Sequence, residues 1–220
     1  MANHACRIVF QPIIELSSER IVAYEALARP RDGTPPLVWF ERAWSAGYGA
    51  EREGMSMLRT IELARRLPEG TALSLNASAE LILADPEWLA CALFGLGRPV
   101  WLELDPLEAI RLHALERDHG ALASLRASGA IDLVVEGACA PSALALLRPS
   151  IVKISSEQPD PSLLAAARAA GARLCRANLG SDEPVPPAES GYELAQGWRY
   201  GRPDELQHWI DRRASRGLAA

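Results

Sequence analysis

The chain has 220 residues, of which 49% are hydrophobic and 23% charged, and its formal net charge at pH 7 is −5. This composition is typical of an ordinary globular domain with enough residues for a sizeable core. The acidic balance excludes a general nucleic-acid or anionic-membrane binder, so we expect no direct contact with nucleic acid or membrane. The sequence has no uncharged apolar run of bilayer-spanning length, and its beginning carries His4 and Arg7 without a signal-type apolar core. We therefore expect a cytoplasmic protein.

Apolar runs typical of buried strands alternate with helical patterns along the chain. The predicted strands cover residues 8–13, 21–27, 73–75, 100–104, 131–135, 151–154, 173–175 and 193–195. Apolar stripes and terminal glycines or prolines predict helices over residues 55–67, 106–126 and 163–170, and a C-terminal helix over 203–216. Eight strands with helices between them favour a β/α barrel, formed by residues 1–220 as a single domain. An open doubly wound sheet is the alternative, although no glycine-rich phosphate turn follows any strand.

The segment between the last two predicted strands contains three prolines, at positions 184, 186 and 187. Proline in a helix interior removes a hydrogen bond and clashes with the preceding turn, so residues 180–191 cannot form a regular helix. We predict that one helix of the outer shell is missing there or is replaced by a loop. The uncovered wall would then be a protein contact surface, on which Leu174 or Leu194 faces outward.

The four cysteines of the chain are widely spaced, at positions 6, 91, 139 and 175. Such spacing is not that of a zinc site or of a disulfide framework. We interpret these cysteines as small, buried apolar residues of a protein in a reducing compartment.

Five polar side chains each close an apolar run: Glu25, Asn76, Glu103, Lys153 and Gln196. In a β/α barrel the carboxyl ends of the strands meet at one mouth, so we expect these side chains to converge. Two carboxylates, a carboxamide and a lysine suit a hard divalent cation and a phosphate. Lys153 is the most informative of these candidates because it is the only lysine among 23 basic residues.

The N-terminal part of the chain resembles the signature of the EAL domain family of cyclic di-GMP phosphodiesterases. The matching segments are residues 10–13 (Phe-Gln-Pro-Ile) and 24–29 (Tyr-Glu-Ala-Leu-Ala-Arg). Weaker matches follow in the order of the family, at residues 75–78, 102–106, 151–154, 195–197 and 202–203. The resemblance implies a modified (β/α)8 TIM-like barrel whose first strand runs antiparallel to the others.

Four departures from the family pattern remove acidic groups. Active members carry an Asp-Asp-Phe-Gly run after the fifth strand, where this chain has Val-Val-Glu-Gly at residues 134–137. We place Asp132 in mid-strand, which makes it a poor substitute. The second glutamate of the family's Glu-x-Thr-Glu run is Pro106, the aspartate after the lysine is Ser155, and the Glu-Gly-Val-Glu run is replaced by residues 177–180.

These departures bear on catalysis because active relatives hydrolyse the nucleotide with two divalent ions. We expect no efficient hydrolysis, no required cofactor and no functional catalytic residue beyond the remnants Glu25 and Lys153. Glu25, Asn76 and Glu103 remain as remnant metal ligands, and they leave room only for weak residual Mg²⁺ or Ca²⁺ binding.

The nucleotide groove implied by the resemblance is better preserved than the metal site. It is formed by Gln11, Glu25, Leu27, Arg29 and Gln196. This pattern favours a cyclic di-GMP receptor without enzyme activity. It is also compatible with a regulator that docks onto a transcriptional or signalling protein, or onto a second copy of the chain. An active phosphodiesterase that releases linear pGpG is the alternative.

Overall fold

The computed structural model describes residues 6–116, 120–127, 129, 131–137 and 140–217. Its centre is a closed barrel in which eight strands follow one another in chain order. They are β1 (Cys6–Glu15), β2 (Arg20–Pro30), β3 (Ala72–Asn76), β4 (Val100–Leu104), β5 (Asp132–Glu136), β6 (Ile151–Ile154), β7 (Arg173–Leu179) and β8 (Leu194–Gly197). Strand β1 is antiparallel to both of its neighbours, β2 and β8, while all other neighbouring pairs are parallel. The predicted modified (β/α)8 barrel is confirmed, and every predicted strand overlaps an observed one.

Helices surround this barrel. They are α1 (Pro36–Ser45), α2 (Gly49–Ala64), α3 (Ala79–Ala84), α4 (Pro86–Phe94), α5 (Pro106–Glu116), α6 (Ala121–Ala127), α7 (Pro141–Leu147), α8 (Pro161–Ala169) and α9 (Leu206–Gly217). Several begin with a proline, whose fixed φ suits the first helical position. The single helix predicted over residues 106–126 is wrong. Helix α5 ends at Glu116, and α6 begins after Gly120, which has a φ of +61° that helical residues do not adopt.

The predicted gap in the helical shell is confirmed. Between β7 and β8 the chain forms only a short 3-10 helix, Ala188–Ser190. The uncovered wall that we expected from this gap is wrong, because Leu174 is 1% exposed and Leu194 is 0% exposed within the single chain. Leu194 points into the barrel, whereas Leu174 belongs to the core between the barrel and its shell.

Helix α8 and Tyr192 cover this wall, since Leu163 and Ala167 of α8 belong to the same core cluster as Leu174. The Arg168 guanidinium of α8 donates to the carbonyl of Ser190 over 3.1 Å, which ties the loop to the helix. Tyr192, just after the loop, packs against the same core as Leu174. The wall is therefore covered without a further helix, and Leu174 offers no apolar docking surface.

Inside the barrel, two layers of side chains lie two residues apart along each strand. The apolar layer consists of Ile13, Ala23, Ala72, Trp101, Val134, Ile151, Cys175 and Leu194. Because strand side chains alternate between faces, the residue two positions nearer the mouth also points inward. These positions form the polar layer, which consists of Gln11, Glu25, Ser74, Glu103, Glu136, Lys153, Ala177 and Gln196. The apolar layer closes the barrel beneath the mouth, and the polar layer forms the floor of the candidate site.

The cysteines only partly follow the expectation. Cys6 and Cys175 are buried, but Cys91 is exposed on α4, and these three are free thiols. Cys139 lies outside the described residues. Within the described part of the chain, no helix is both long and apolar enough to cross a membrane.

Candidate functional site at the barrel mouth

Glu25 is the centre of a buried hydrogen-bond network. Its Oε1 accepts from Asn76 Nδ2 over 3.1 Å, and its Oε2 accepts from Lys153 Nζ over 3.0 Å and from Gln196 Nε2 over 2.6 Å. The prediction that Glu25 closes its strand is wrong, because β2 continues to Pro30. Glu25 still reaches the mouth because β2, with 11 residues, is much longer than β3 and β4.

Lys153 joins Glu25 to Glu103. Its Nζ donates to Glu103 Oε2 over 2.7 Å, and the Ser74 hydroxyl donates to the same oxygen over 2.9 Å. Lys153 and Glu103 are each 1% exposed. Burying an ammonium alone would be strongly unfavourable, so the position of Lys153 depends on the two carboxylates beside it.

The pKa values in this network diverge because two carboxylates share one ammonium. Burial alone would raise the pKa of Glu25, but the charge of Lys153 and the hydrogen bonds from Gln196, Lys153 and Asn76 hold it below its usual value. Burial, and then the charge of Glu25, raise the pKa of Glu103 to about 8. Burial would lower the pKa of Lys153, but the two carboxylates outweigh it and raise the value. At neutral pH the network therefore holds an ammonium, an ionised Glu25 and a protonated Glu103.

Glu136 is a mouth residue that the sequence comparison missed. It ends β5 and pairs in register with Lys153. Its pKa is raised, chiefly by burial. Val134 lies in the apolar layer and Val135 in the outer core. Neither of these two residues, which stand where active family members have an Asp-Asp pair, therefore faces the mouth. The signal was present in the sequence, since Glu136 closes an apolar run as Glu103 does.

Asp132 cannot contribute to the mouth. It is the first residue of β5 rather than a mid-strand residue, so it lies at the opposite end of the barrel. There its Oδ1 accepts from the Ser150 hydroxyl over 2.9 Å.

Gln11 and Gln196 close the network on the side of β1 and β8. Gln196 Nε2 lies 3.3 Å from Gln11 Oε1, and Gln11 Nε2 donates to the Gly201 carbonyl over 3.1 Å. Both amides are thus oriented by partners and linked to Glu25. The structure brings together six of the predicted site residues: Gln11, Glu25, Asn76, Glu103, Lys153 and Gln196.

Leu27 and Arg29 lie outside this network, in a cleft of about 930 Å³ that adjoins it. The cleft lies between β2, α1 and α2 on one side and α3 and α5 on the other, and Asn76 and Glu103 also line it. Arg29 donates from Nη1 to the Ala28 carbonyl over 2.8 Å. Within the described residues, no carboxylate forms an ion pair with Arg29. Its guanidinium is therefore available to an anionic ligand.

The donor set fits one divalent cation better than two. Glu103 Oε1 is buried and has no hydrogen-bond partner among the described residues, so it is an available ligand atom beside Glu25 and Asn76. A second ion would need further oxygens, but Ala177 and Gly180 have no side-chain oxygen to offer. Considering only the described residues, no three His, Cys, Asp or Glu side chains are grouped as a metal site.

A family model for the EAL domain matches residues 1–175. The chain belongs to the EAL domain family. This confirms the resemblance seen in the sequence. The match ends at Cys175, before β8 and Gln196, but the structural likeness extends over more of the chain. No curated protein matches the sequence.

Three solved structures illustrate the likeness in fold. Klebsiella pneumoniae BlrP1, in a calcium and cyclic di-GMP complex, is 22% identical with a TM-score of 0.73, and the match covers 93% of this EAL domain and 58% of the BlrP1 chain. The PaMucR phosphodiesterase, in a cyclic di-GMP complex, is 17% identical with a TM-score of 0.75, over 93% and 99% of the two chains. The EAL enzyme Bd1971, with cAMP and cyclic di-GMP bound, is 18% identical with a TM-score of 0.77, over 95% and 65%. This EAL domain thus spans little more than half of BlrP1, and at these identities the likeness establishes the fold.

Proposed function

We propose that this EAL domain is a cytoplasmic signalling protein that binds cyclic di-GMP without efficient hydrolysis and acts by docking onto a protein partner. The observation that carries this proposal is the position of the two valines that stand where active members have the Asp-Asp pair: Val134 lies in the apolar layer and Val135 in the outer core. Neither position supplies a metal ligand at the mouth, whereas Arg29 lines the adjoining cleft. The solved relatives support binding without a metal, since BlrP1 has also been solved with cyclic di-GMP and no metal ions.

The ligand would be held mainly by charge-assisted and amide hydrogen bonds. Cyclic di-GMP is an anion with two phosphates, and the Arg29 guanidinium offers a planar fork to a phosphate oxygen pair. The Gln11 and Gln196 amides are oriented by their partners and lie at the same mouth.

The side chains of this site are poorly suited to hydrolysis. Metal ions, when bound, would activate a water and stabilise the attacking and leaving oxygens. Without them, a side chain must accept the proton of the water. Lys153 and Glu103 hold protons at neutral pH, and Glu25 is ionised but already accepts three hydrogen bonds. No member of this trio is free to act as the base.

Glu136 favours the alternative, a metal-dependent phosphodiesterase. It adds a carboxylate at the end of β5, so the mouth offers four oxygen-bearing side chains with Glu25, Asn76 and Glu103. Hard divalent cations prefer such oxygen ligands. Binding a cation there would require Glu103 to lose its proton.

A calorimetric titration with cyclic di-GMP, in buffer containing EDTA and then with Mg²⁺ or Ca²⁺, tests the proposal. We expect micromolar binding in EDTA and no linear pGpG by chromatography above the level of a Glu25→Ala control. Turnover that requires a metal and exceeds this control would establish the alternative. Absence of binding under all conditions would refute the nucleotide part of the proposal.

A further inference from the structure

We propose that a hollow at the end of the barrel opposite the mouth, which we call the base hollow, binds a small organic phosphate. The base hollow lies between the start of β2, residues 69–71 just before β3, and residues 209–213 of α9. Because β2 and β3 run in parallel toward the mouth, their beginnings lie at the other end of the barrel. This site is therefore separate from the nucleotide site of the proposed function.

Three arginines line the base hollow: Arg20, Arg212 and Arg213. In the part of the chain that the structure describes, no carboxylate forms an ion pair with any of them. Glu19 and Glu69 also line the hollow, but both are exposed, and the three guanidinium groups outnumber them. Each guanidinium offers five N–H donors in a planar fork. A surplus of unpaired guanidinium groups around one cavity favours an anionic ligand.

Two of these guanidinium groups are already oriented by the protein. Arg213 Nη1 donates to the Glu69 carbonyl over 2.8 Å, and Arg212 Nη1 donates to the Tyr200 carbonyl over 3.2 Å. The Arg212 guanidinium also lies over the Trp209 ring, 5.3 Å from its centroid. Each of these hydrogen bonds uses only one of the three guanidinium nitrogens. Because the side chains are held in place beforehand, a ligand would lose less free energy in ordering them.

The floor of the base hollow is apolar and fixed in position. It is formed by Tyr24 and Trp209, which are each 1% exposed and whose ring centroids lie 5.8 Å apart. Trp209 Nε1 donates to the Phe10 carbonyl over 2.7 Å, which anchors the indole to β1. Ile21, which is half-buried, also lines the hollow. A ligand with an apolar group next to its anionic group could contact this floor and the arginines at once.

The size and charge of the base hollow select a small phosphate monoester. Its volume of about 340 Å³ lies near the lower end of the ~300–1,000 Å³ typical of ligand pockets. A phosphate monoester carries about −1.5 to −2 charges at pH 7 and three acceptor oxygens, so it can accept hydrogen bonds from several guanidinium groups together. A carboxylate has only two oxygens, and a metal cation would be repelled by the arginines.

Isothermal titration calorimetry of the full chain with phenyl phosphate, in EDTA and without nucleotide, tests this inference. We expect saturable binding at one site. Arg20→Gln combined with Arg213→Gln should weaken this binding at least about tenfold, or about 1.4 kcal/mol. Both side chains are exposed, so their replacement leaves the apolar floor intact. Circular dichroism checks that the double variant is folded. The absence of saturable binding to the wild type would overturn the inference.

The matched control is Arg42→Gln combined with Arg148→Gln, two exposed residues that line neither cavity and whose replacement changes the net charge equally. The control variant should bind phenyl phosphate within about twofold of the wild type. An equal loss of affinity in both double variants would overturn the inference, since the probe would then respond only to overall charge.

Inorganic phosphate tests the contribution of the apolar floor. It should bind at least about fivefold more weakly than phenyl phosphate, because it has no group that can contact Tyr24 or Trp209. Equal affinity for the two probes would overturn the assignment to an organic phosphate.

A titration in the presence of saturating cyclic di-GMP separates this inference from the proposed function. The affinity for phenyl phosphate should not change, since the two sites lie at opposite ends of the barrel. Displacement of phenyl phosphate by cyclic di-GMP would assign the probe to the mouth and overturn the inference. Phenyl phosphate binding that requires Arg20 and Arg213, in a chain that does not bind cyclic di-GMP, would support the inference and refute the receptor hypothesis.

Discussion

The apolar layer and the polar layer are built from the same eight strands, yet they have opposite chemistry. On β4, Trp101 lies in the apolar layer and Glu103 in the polar layer, and on β6 Ile151 and Lys153 have the same relation. The alternation of strand side chains places both members of each pair inside the barrel. The difference shows that one step of two residues separates a packed core from a charged site.

The two layers depend on each other. The apolar layer excludes water beneath the mouth, which explains why burial is the leading cause of the raised pKa of Glu103. The polar layer avoids an isolated buried charge only through the mutual contacts of Glu25, Glu103 and Lys153. A change in either layer should therefore have a distinct and measurable effect.

The largest effect is expected from Lys153→Met, which removes the ammonium and leaves Glu25 and Glu103 buried without their cation. Breaking a buried ion pair in this way destabilises a protein by about 3–5 kcal/mol. Ile151→Val, one layer below on the same strand, should cost only about 0.5–1.5 kcal/mol. Urea denaturation measures both. A smaller loss for Lys153→Met than for Ile151→Val would contradict the charged character of the polar layer.

The next largest effect is the pH dependence of the free energy of unfolding that arises from Glu103. Its folded pKa is raised to about 8, so its contribution to stability is present below its unfolded pKa, near 4.5, and is lost as the pH rises through about 8. The wild type should therefore lose about 2–4 kcal/mol relative to Glu103→Gln between these two pH values. Denaturation of both proteins across this range measures the difference. If the difference in stability between the wild type and Glu103→Gln did not change with pH, Glu103 would not be held neutral in the folded protein.

A somewhat smaller effect is expected on cyclic di-GMP affinity, where a change in the cleft wall should weaken binding more than a change in the polar layer. Arg29→Ala should weaken cyclic di-GMP binding by about 1.5–3 kcal/mol, the scale of a hydrogen bond to a charged group. Glu103→Ala should weaken it less, because a carboxylic acid without a metal has little attraction for a phosphate. Calorimetry measures both losses. Equal losses would indicate a cation bridging Glu103 to the ligand.

The smallest effect is expected in the rate of thiol modification at Cys175, which lies in the apolar layer. Burial raises the pKa of the Cys175 thiol to about 12, so it forms almost no thiolate at neutral pH. A thiol reagent should modify the exposed Cys91 rapidly and Cys175 only in denaturant. Mass spectrometry locates the modified residues. Rapid labelling of Cys175 in the native protein would mean that the apolar layer opens to water.

Individual strands and helices show which parts of the fold could be predicted from the sequence. The eight strands were predictable because each is an apolar run bounded by turn or helix signals, and β6 was placed without error at residues 151–154. Helix α3, with six residues, was missed because it is too short for a clear apolar stripe. The split between α5 and α6 was missed because apolar residues continue on both sides of it.

The sequence by itself indicated the eight strands and the side chains that meet at the mouth, because these follow from local patterns along each strand. The EAL resemblance, rather than those patterns, implied the closed barrel with its antiparallel first strand. Only the tertiary structure decided that Glu136 faces the mouth, since that depends on the register of β5 against β6. It also decided that helix α8 and Tyr192 cover the wall and that Lys153 bonds to Glu25, a contact between residues 128 positions apart. Such contacts depend on how the strands close into a barrel, and no local pattern in the chain specifies which residues that are far apart in sequence come into contact.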